Sequence, residues 1–281
     1  MTDKLKIAKH PCFSKKAHLK FARIHLPVAP LCNIGCKYCI RAINKVENRP
    51  GVASRIITPK QALERVRQAV KLYPLTVVGI AGPGDALANK ETFQTFELID
   101  KEFPRLMKCI STNGLLLPDY VDRLKKLKIS TLTVTVNAVT PKVAAKIYDF
   151  VILDGKSYKG LKAAEILVSR QKQGIKKAIL AGITTKINTV LIPQINMKEI
   201  PKIAKFYSGL GADIMNIMPL IPIHRMAAKK PPTCEQLGMI RDKSEKYIKQ
   251  FRHCKQCRAD AVGVPGFERK VLSCPTEYFH F

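Results

Sequence analysis

The run RIHLPVAPLCNIGCKYC, residues 23–39, holds the two features that decide the fold: an aliphatic strand and, directly after it, three closely spaced cysteines. The aliphatic side chains of residues 23–29 are typical of a buried β-strand. Cys32, Cys36 and Cys39 follow with the spacing C-x3-C-x2-C. Three thiolates on one short loop can hold three irons of a [4Fe-4S] cluster and leave the fourth iron open. A zinc site is the alternative for such a spacing.

Short apolar strands alternate with helical segments along the rest of the chain. The further predicted strands cover 75–82, 106–112, 130–138, 184–192 and 213–221. The predicted helices cover 58–73, 91–103, 118–127, 141–150, 160–173, 198–208 and about 234–250. Such βα repetition predicts an α/β fold with a parallel sheet and right-handed crossovers. Six units favour a partial (β/α)6, TIM-like barrel over a closed eight-unit one, with chemistry at the C-terminal ends of the strands.

Composition and charge narrow the class of protein. The chain has 281 residues, 46% of them hydrophobic, which predicts a globular fold. No apolar run is long enough for a membrane span and the N-terminus is too polar for a secretory signal, so a cytoplasmic protein is expected. Nine cysteines then favour metal or redox chemistry over disulfides. The net charge of +28 fits a solvated surface, an acidic partner such as a ferredoxin-like electron donor, or nucleic acid.

The cysteine run resembles the signature of radical S-adenosylmethionine (SAM) enzymes. The motif is CNIGCKYC, residues 32–39, placed directly after the first predicted strand. The resemblance implies that the open iron binds SAM, and that an electron from the cluster cleaves the sulfonium to give a 5′-deoxyadenosyl radical. It also implies a SAM pocket at the strand ends. The residues expected to form that pocket are Tyr38, Gly82, Gly84, Asp85, Ser111, Asn113, Thr135, Asn137, Ile187 and Asn188.

Further stretches extend the resemblance from about residue 10 to residue 264. They include HPCFSKKAH, GIAGPGDALAN, STNGLLLPDYVDRL, KINTVLIPQIN and HCKQCRADAVG. Together they resemble the NifB family of radical SAM enzymes, in its short form without a C-terminal NifX-like domain. The resemblance implies an N-terminal cluster-binding extension at 1–22, a radical SAM barrel at 23–250 and a C-terminal CxxC tail at 251–281.

The resemblance to NifB also implies an activity, cofactors and partners. Two auxiliary four-iron clusters are expected beside the SAM-binding cluster. The enzyme would fuse them with a SAM-derived carbide and a sulfide into the 8Fe-9S-C precursor, NifB-co, of the nitrogenase iron–molybdenum cofactor. The expected partners are an iron–sulfur donor protein, a low-potential ferredoxin or flavodoxin, and a NifX- or NafY-like carrier or NifEN scaffold. Neither nucleic acid nor a membrane is an expected partner.

The cysteines outside the first loop supply candidate ligands for auxiliary clusters. A C-x2-C pair such as Cys254 and Cys257 also fits a zinc or redox site, and a cluster needs a third partner. By the resemblance, Cys12 is that partner. Cys109, on the third predicted strand, becomes a ligand of the other, substrate-like cluster, although burial alone would make it an ordinary core cysteine.

A histidine is expected at the substrate cluster as well. His10 is the first choice, and His18 and His25 are the alternatives, because a neutral imidazole binds iron as readily as it packs in a core. Glu47 is a candidate for a weak, displaceable ligand. Both His10 and Glu47 are therefore expected at the reaction centre together with the strand cysteine.

One departure from the NifB pattern lies between the first cysteine loop and the RPG motif. The family usually carries another cysteine there, and this chain has Lys45 near that position. Cys274 or Cys234 is a possible substitute, with a structural role favoured for Cys234. Two further hypotheses stay open at this point: a radical SAM enzyme that modifies RNA, motivated by the charge, and an iron–sulfur carrier without catalysis.

Overall fold

The computed structural model describes residues 7–267. In chain order its strands are β1 (Ala22–His25), β2 (Ile34–Cys36), β3 (Ala42–Ile43), β4 (Val52–Ala53), β5 (Leu75–Ile80), β6 (Met107–Thr112), β7 (Ile129–Thr135), β8 (Tyr148–Leu153), β9 (Lys156–Lys159), β10 (Thr184–Leu191), β11 (Ile214–Pro219) and β12 (Val262–Gly263). Its helices are α1 (Lys15–His18), α2 (Pro59–Leu72), α3 (Lys90–Glu102), α4 (Leu117–Lys126), α5 (Pro141–Ile147), α6 (Gly160–Leu180), α7 (Pro193–Asn196), α8 (Ile200–Gly209) and α9 (Cys234–Glu245).

The central sheet has seven strands in the order β11-β10-β7-β6-β5-β1-β12. The first six of these run parallel to their neighbours, and β12 pairs antiparallel with β1. Six parallel strands alternating with helices confirm the predicted partial barrel. Because the strands are parallel, their C-terminal ends share one edge, and the loops at that edge can build a single site.

Local sequence explains where the helices begin. Helix α2 starts with a capping box, in which the Thr58 hydroxyl accepts from the Gln61 amide and the Gln61 side chain accepts from the Thr58 amide. A cap of this kind stabilises a helix by about 1 kcal/mol. The buried side chains of α2 are Ala62, Val66 and Ala69, whose spacing places them on one face. That face covers the sheet.

Alternation along the strands separates the packed face of the sheet from its concave inner face. Ile24, Ile110 and Ile187 belong to the main core, which includes the buried helix side chains. Since successive strand residues point to opposite faces, their neighbours point into the barrel. These inward residues are Arg23, His25, Cys109, Ser111, Lys186 and Asn188. The inside of the barrel is therefore lined by groups that bear chemistry.

Several predicted elements need correction, and the first strand ends at His25 rather than at residue 29. Residues 148–150 are not helical: α5 ends at Ile147, and β8 begins there and forms a hairpin with β9. The last helix ends at Glu245 rather than near 250, and the predicted helix at 160–173 continues to Leu180. Strand β12 was not predicted, and it makes part of the C-terminal tail an edge strand of the sheet.

Candidate active site

The three cysteines of the first loop line a cavity of about 550 Å³ at the C-terminal ends of the strands. A volume of this order suits a ligand of a few hundred daltons. The other lining residues come from several strand ends and from the β8 hairpin. They include Tyr38, Gly84, Asp85, Ser111, Asn113, Thr135, Asp149, Phe150 and His224. Within residues 7–267 no three His, Cys, Asp or Glu side chains converge as ligands of one metal ion would.

The β8 strand fixes the shape of the cysteine loop. Strand β2, which ends at Cys36, pairs antiparallel with β8, and the Ile152 amide donates to the Asn33 carbonyl at 2.8 Å. The Phe150 ring lies so close to Gly35 that a Cβ added there would be 2.5 Å from a ring carbon. Only glycine permits this packing, so the loop sequence and the hairpin are matched to each other.

Burial controls the acidity of the loop thiols. It raises the pKa of Cys32 to about 11, with a further rise from Asp85, and it raises the pKa of Cys36 well above its usual value, with a further rise from the Cys39 and Cys32 thiolates. Burial also raises the pKa of Cys39, although Arg41 opposes the effect. The thiols are therefore protonated at neutral pH until metal replaces the protons. Binding of iron releases these protons, so iron affinity should increase with pH.

The glycine-rich turn that follows β5 rests on the backbone just before the first cysteine. The Gly84 amide donates to the Ala29 carbonyl at 2.7 Å, and the Asp85 amide donates to the Leu31 carbonyl at 2.8 Å. A Cβ at Gly84 would lie 2.1 Å from the Leu31 carbonyl oxygen. The turn and the cysteine loop are thus in direct backbone contact, which is the reason for a glycine at this position.

Asp85 uses its carboxylate within the protein. It accepts from the Thr112 hydroxyl at 2.9 and 3.0 Å, from the Asn113 amide at 2.6 Å and from the Leu87 amide at 2.9 Å. Burial raises the pKa of Asp85, and these donors oppose the rise. The side chain of Asn113 continues the network, because its Nδ2 donates to Asn33 Oδ1 at 2.7 Å. Asp85 therefore ties the ends of β5 and β6 to the cysteine loop.

The buried side-chain amide of Asn137 holds the hydroxyl group of Tyr38 in place. Asn137 is fully buried, and its Nδ2 donates to the hydroxyl oxygens of Tyr38 at 2.8 Å and Tyr148 at 3.0 Å. Its Oδ1 accepts from the Val190 amide at 2.8 Å. Asn137 thus positions the tyrosine next to the third cysteine and does not itself line the cavity.

The structure gathers most of the predicted pocket residues, but not all of them. Ile187 is fully buried in the core on the helix side of β10, because it lies on the opposite face from its neighbours. Asn188 points inward and accepts from the Asn216 side chain at 3.1 Å. Gly82 shapes the turn with a positive φ of 127° and does not line the cavity. These three residues therefore stand outside the cavity wall.

Several lining residues were not predicted from the sequence, among them Asp149, Phe150 and His224. Asp149 and Phe150 enter the cavity from β8, and Asp149 forms an ion pair with Arg225 at 2.8 Å. His224 follows β11 and has a left-handed φ of 54°. The available signal was the aromatic and β-branched content of Tyr148 to Leu153, which is typical of a strand.

A second group of thiols lies inside the barrel, away from the first loop. Arg23 donates through Nη2 to Cys257 Sγ at 3.0 Å. Burial raises the pKa of Cys12 to about 12, and the nearby Cys257 and Cys109 thiolates add to the rise while Lys186 opposes it. Cys254 and Cys12 pack together against a small apolar cluster. Cys12, Cys109 and Cys257 are therefore within electrostatic range of one another, and Cys254 contacts the same apolar cluster as Cys12.

The candidate histidines differ in the ring nitrogen they can offer. His25 donates through Nδ1 to the Arg258 carbonyl at 3.1 Å, and burial and Arg23 lower its pKa to about 4. Its Nε2 therefore carries a lone pair at neutral pH. His10 instead accepts through Nδ1 from the Cys12 amide at 3.1 Å, so its neutral ring carries a proton on Nε2. His18 donates to the Pro11 carbonyl at 2.9 Å.

Glu47 is not placed with the cysteines. Its carboxylate accepts from Asn44 Nδ2 at 2.7 Å and from Arg49 Nε at 2.6 Å on the protein surface. Arg258, from the tail, donates to the carbonyls of Glu47 and Asn44 and fixes this loop. Lys45 is exposed in the same loop. The segment that carries an additional cysteine in the family pattern thus faces solvent here.

Of the two substitute ligands suggested for the missing cysteine, the structure describes only Cys234. Cys234 is the first residue of α9, directly after its N-cap Thr233. Cys274 lies outside the described residues.

Within residues 7–267 no helix is long and apolar enough to cross a bilayer.

A (β/α)6 half-barrel with a C-x3-C-x2-C loop at its strand ends defines a class, the radical SAM proteins, and the model of the radical SAM superfamily matches residues 26–207. Solved structures share this fold. Streptococcus suis SuiB has a TM-score of 0.59 at 13% identity, covering 83% of this chain and 49% of SuiB. AnSMEcpe with bound AdoMet has a TM-score of 0.51 at 15% identity, covering 73% of this chain and 52% of that one.

Closer relatives carry the name FeMo cofactor biosynthesis protein NifB. The protein of Methanocaldococcus infernus is 52% identical over 91% of this chain and 85% of its own length. That of Methanocaldococcus jannaschii is 51% identical over 94% of this chain and 88% of its own. That of Klebsiella pneumoniae is 46% identical, and the match covers 94% of this chain and 58% of the relative. The chain belongs to the NifB family of the radical SAM superfamily.

Proposed function

We propose that this protein is a radical SAM maturase in FeMo cofactor biosynthesis. It fuses two [4Fe-4S] clusters with a SAM-derived carbide and a sulfide into an 8Fe-9S-C precursor. The observation that carries the proposal is the group of Cys12, Cys109 and Cys257 inside the barrel. These thiols lie apart from the loop cysteines that line the cavity, and they can supply ligands for iron–sulfur clusters in addition to the one that binds SAM.

The first loop fits the SAM-binding cluster. Cys32, Cys36 and Cys39 line one cavity and leave one position of a four-iron cluster without a protein thiolate. When bound, this cluster supplies the electron that cleaves SAM. The chain contributes the shape of the site: the β8 hairpin holds the loop, and the turn at Gly84 keeps the cavity wall against it.

The inner thiols fit two further clusters, which serve as substrates. We assign Cys12, Cys254 and Cys257 to one cluster and Cys109 to the other. Cys109 lies on β6 at the register of Gly79, whose other neighbour in the sheet is His25. A Cβ at Gly79 would lie 3.7 Å from His25 Nε2, so the imidazole extends over the glycine toward the strand of Cys109.

We propose His25 as the imidazole ligand of the Cys109 cluster in preference to His10. The hydrogen bond from His25 Nδ1 to a carbonyl fixes the tautomer that leaves Nε2 free for iron. His10 would first have to lose its Nε2 proton or break its bond to the Cys12 amide. Its place beside Cys12 suits a role in holding the N-terminal loop.

Iron counting tests the proposal directly. After anaerobic reconstitution we expect about twelve irons per chain, because three four-iron clusters bind. C109A should lower the count and abolish activation of apo-nitrogenase in a carrier-coupled assay, while uncoupled SAM cleavage continues. C32A is the matched control, and it should lose SAM cleavage. A wild-type count of about four irons, or retained activation by C109A, would contradict the proposal.

The partner proteins expected for this chain belong to the same proposal. A low-potential ferredoxin or flavodoxin would deliver electrons, an iron–sulfur donor would supply clusters, and a NifX- or NafY-like carrier or the NifEN scaffold would receive the product. The net charge of +28 supports docking of acidic carriers.

A further inference from the structure

We infer that Lys186 is a positioning residue that supplies the positive charge against which both auxiliary clusters are held inside the barrel. The inference rests on the proposed function, because it concerns the clusters that the function requires. It assigns a role to Lys186, the first residue of the stretch KINTVLIPQIN, for which the sequence alone gives no role.

The ammonium of Lys186 is enclosed. The residue lies on β10, faces the inside of the barrel and is only 6% exposed. Its Nζ donates to the Cys12 carbonyl at 3.2 Å and lies 4.7 Å from the ring centre of Phe13 and 5.5 Å from that of Phe251. Aromatic faces attract a cation only weakly compared with an anion. The charge is therefore sequestered without a strong partner.

Lys108 is also a buried lysine, but it differs from Lys186 because its ammonium has a counter-charge. Lys108 is 2% exposed, and its ammonium forms an ion pair with Asp100. Among residues 7–267 no carboxylate lies within 4.0 Å of the Lys186 ammonium. A buried charge without a counter-charge is costly, so a fold that retains one is expected to meet an anion there.

The groups around Lys186 become anionic when clusters bind. The proposed ligands of the two clusters lie on the same interior as this ammonium: the Cys12 carbonyl accepts from it at 3.2 Å, and Cys109 points inward from β6. A four-iron cluster with thiolate ligands carries net negative charge. Lys186 lies within electrostatic range of Cys12 and Cys109, and also of His25. One ammonium therefore faces both proposed cluster positions.

This placement has a consequence for the fusion of two clusters. Two anionic clusters repel each other as they approach, and the repulsion is strong where water is excluded. A fixed cation near both clusters weakens that repulsion. It also favours the reduced redox states of the clusters, which carry more negative charge. Lys186 also ties the Cys12 loop to β10 through its hydrogen bond, so the same side chain sets both position and charge.

The test compares K186M with K186R, and uses K108M as a matched loss of a buried lysine. Three properties are measured: unfolding of the cluster-free chain, the midpoint potentials of reconstituted clusters by EPR-monitored titration, and the rate of iron release to EDTA. For K186M we expect auxiliary iron release roughly tenfold faster or more, since a charge-assisted contact is lost. Auxiliary potentials should become more negative, while the SAM-cluster signal stays unchanged.

The stability measurement separates this role from a structural one. Cluster-free K186M should unfold at the same or a higher denaturant concentration than wild type, whereas K108M should unfold at a lower one and keep wild-type potentials. K186R should keep wild-type iron release. Unchanged potentials in K186M, an arginine variant that behaves like the methionine variant, or a destabilised cluster-free K186M would each overturn the inference. A wild-type count of about four irons would instead remove the proposed function, and the inference with it.

Discussion

Replacing Gly84 by alanine should push the glycine-rich turn after β5 away from the cysteine loop. The new Cβ would lie 2.1 Å from the Leu31 carbonyl oxygen, and 2.7 Å from that of Pro30. Ordinary contact begins at 3.4 Å, so turn and loop must move apart by 3.4 − 2.1 = 1.3 Å. Both contacts are with backbone, and rotation of a side chain cannot relieve them.

The cost of that movement can be worked from the bonds it breaks. Two backbone hydrogen bonds join the turn to the loop strand, at 2.7 and 2.8 Å. Each contributes about 1 kcal/mol net, and overpacking adds about 1–3 kcal/mol. We expect G84A to be less stable by about 3–5 kcal/mol, which lowers the melting temperature by roughly 6–20 °C in a chain of this size.

The rate of SAM cleavage should fall more strongly than the stability of the G84A variant. A displacement of about 1 Å at a reacting centre costs on the order of a hundredfold in rate. We therefore expect 5′-deoxyadenosine formation to fall roughly a hundredfold in G84A, with a loss of the SAM-induced change in the cluster EPR signal.

Gly238 provides the control for this substitution. It lies inside α9, and a Cβ there would meet nothing within 4 Å. G238A should stabilise the helix by up to about 1 kcal/mol and leave SAM cleavage unchanged. If G84A cleaves SAM within twofold of wild type, the turn does not position the loop and the reasoning is wrong.

Two further predictions concern the supports of the site. N137A should destabilise the chain by about 2–3 kcal/mol in urea unfolding, because two tyrosine hydroxyls and a buried amide lose their partner, whereas exposed N48A should change it little. Burial alone would raise the pKa of Asp260, but hydrogen bonds from Arg258 and Ser54 hold it at about 2, below its ordinary 3.8. The stability that Asp260 contributes is therefore present above pH 3.8 and lost as the pH falls toward 2, so wild type and D260N should converge in acid unfolding of the cluster-free chain. A stability difference that stays constant over this range would contradict the assignment.

The parallel strands could be predicted because their signal is local. Each is a short apolar run bounded by turn residues, and the capping box at Thr58 marks the start of α2 without reference to the rest of the chain. The same holds for the cysteine loop, whose spacing alone restricts its chemistry. These features depend on residues that are neighbours in sequence.

Features that depend on distant residues were not predictable in this way. The pairing of β2 with β8 joins residues more than a hundred positions apart, and residues 148–150 were assigned to a helix because their partner was unknown. The sequence shows that successive side chains of a strand point to opposite faces of the sheet, but it does not show which face lines the cavity. For this reason Ile187 was wrongly predicted to line the cavity. The roles of His25 and Lys186 depend on hydrogen-bond partners that only the folded chain supplies.

The pairing of the first strand has a consequence for the order of events during synthesis. Strand β1 is bonded to β12, and Arg23 donates to the Gly263 carbonyl 240 positions later. A nascent chain therefore cannot close its inner thiol group until the segment around residue 263 has left the ribosome. Iron–sulfur loading of that group must follow synthesis of this segment, and a polypeptide that ends before it would carry incompletely enclosed cysteines that oxygen can reach.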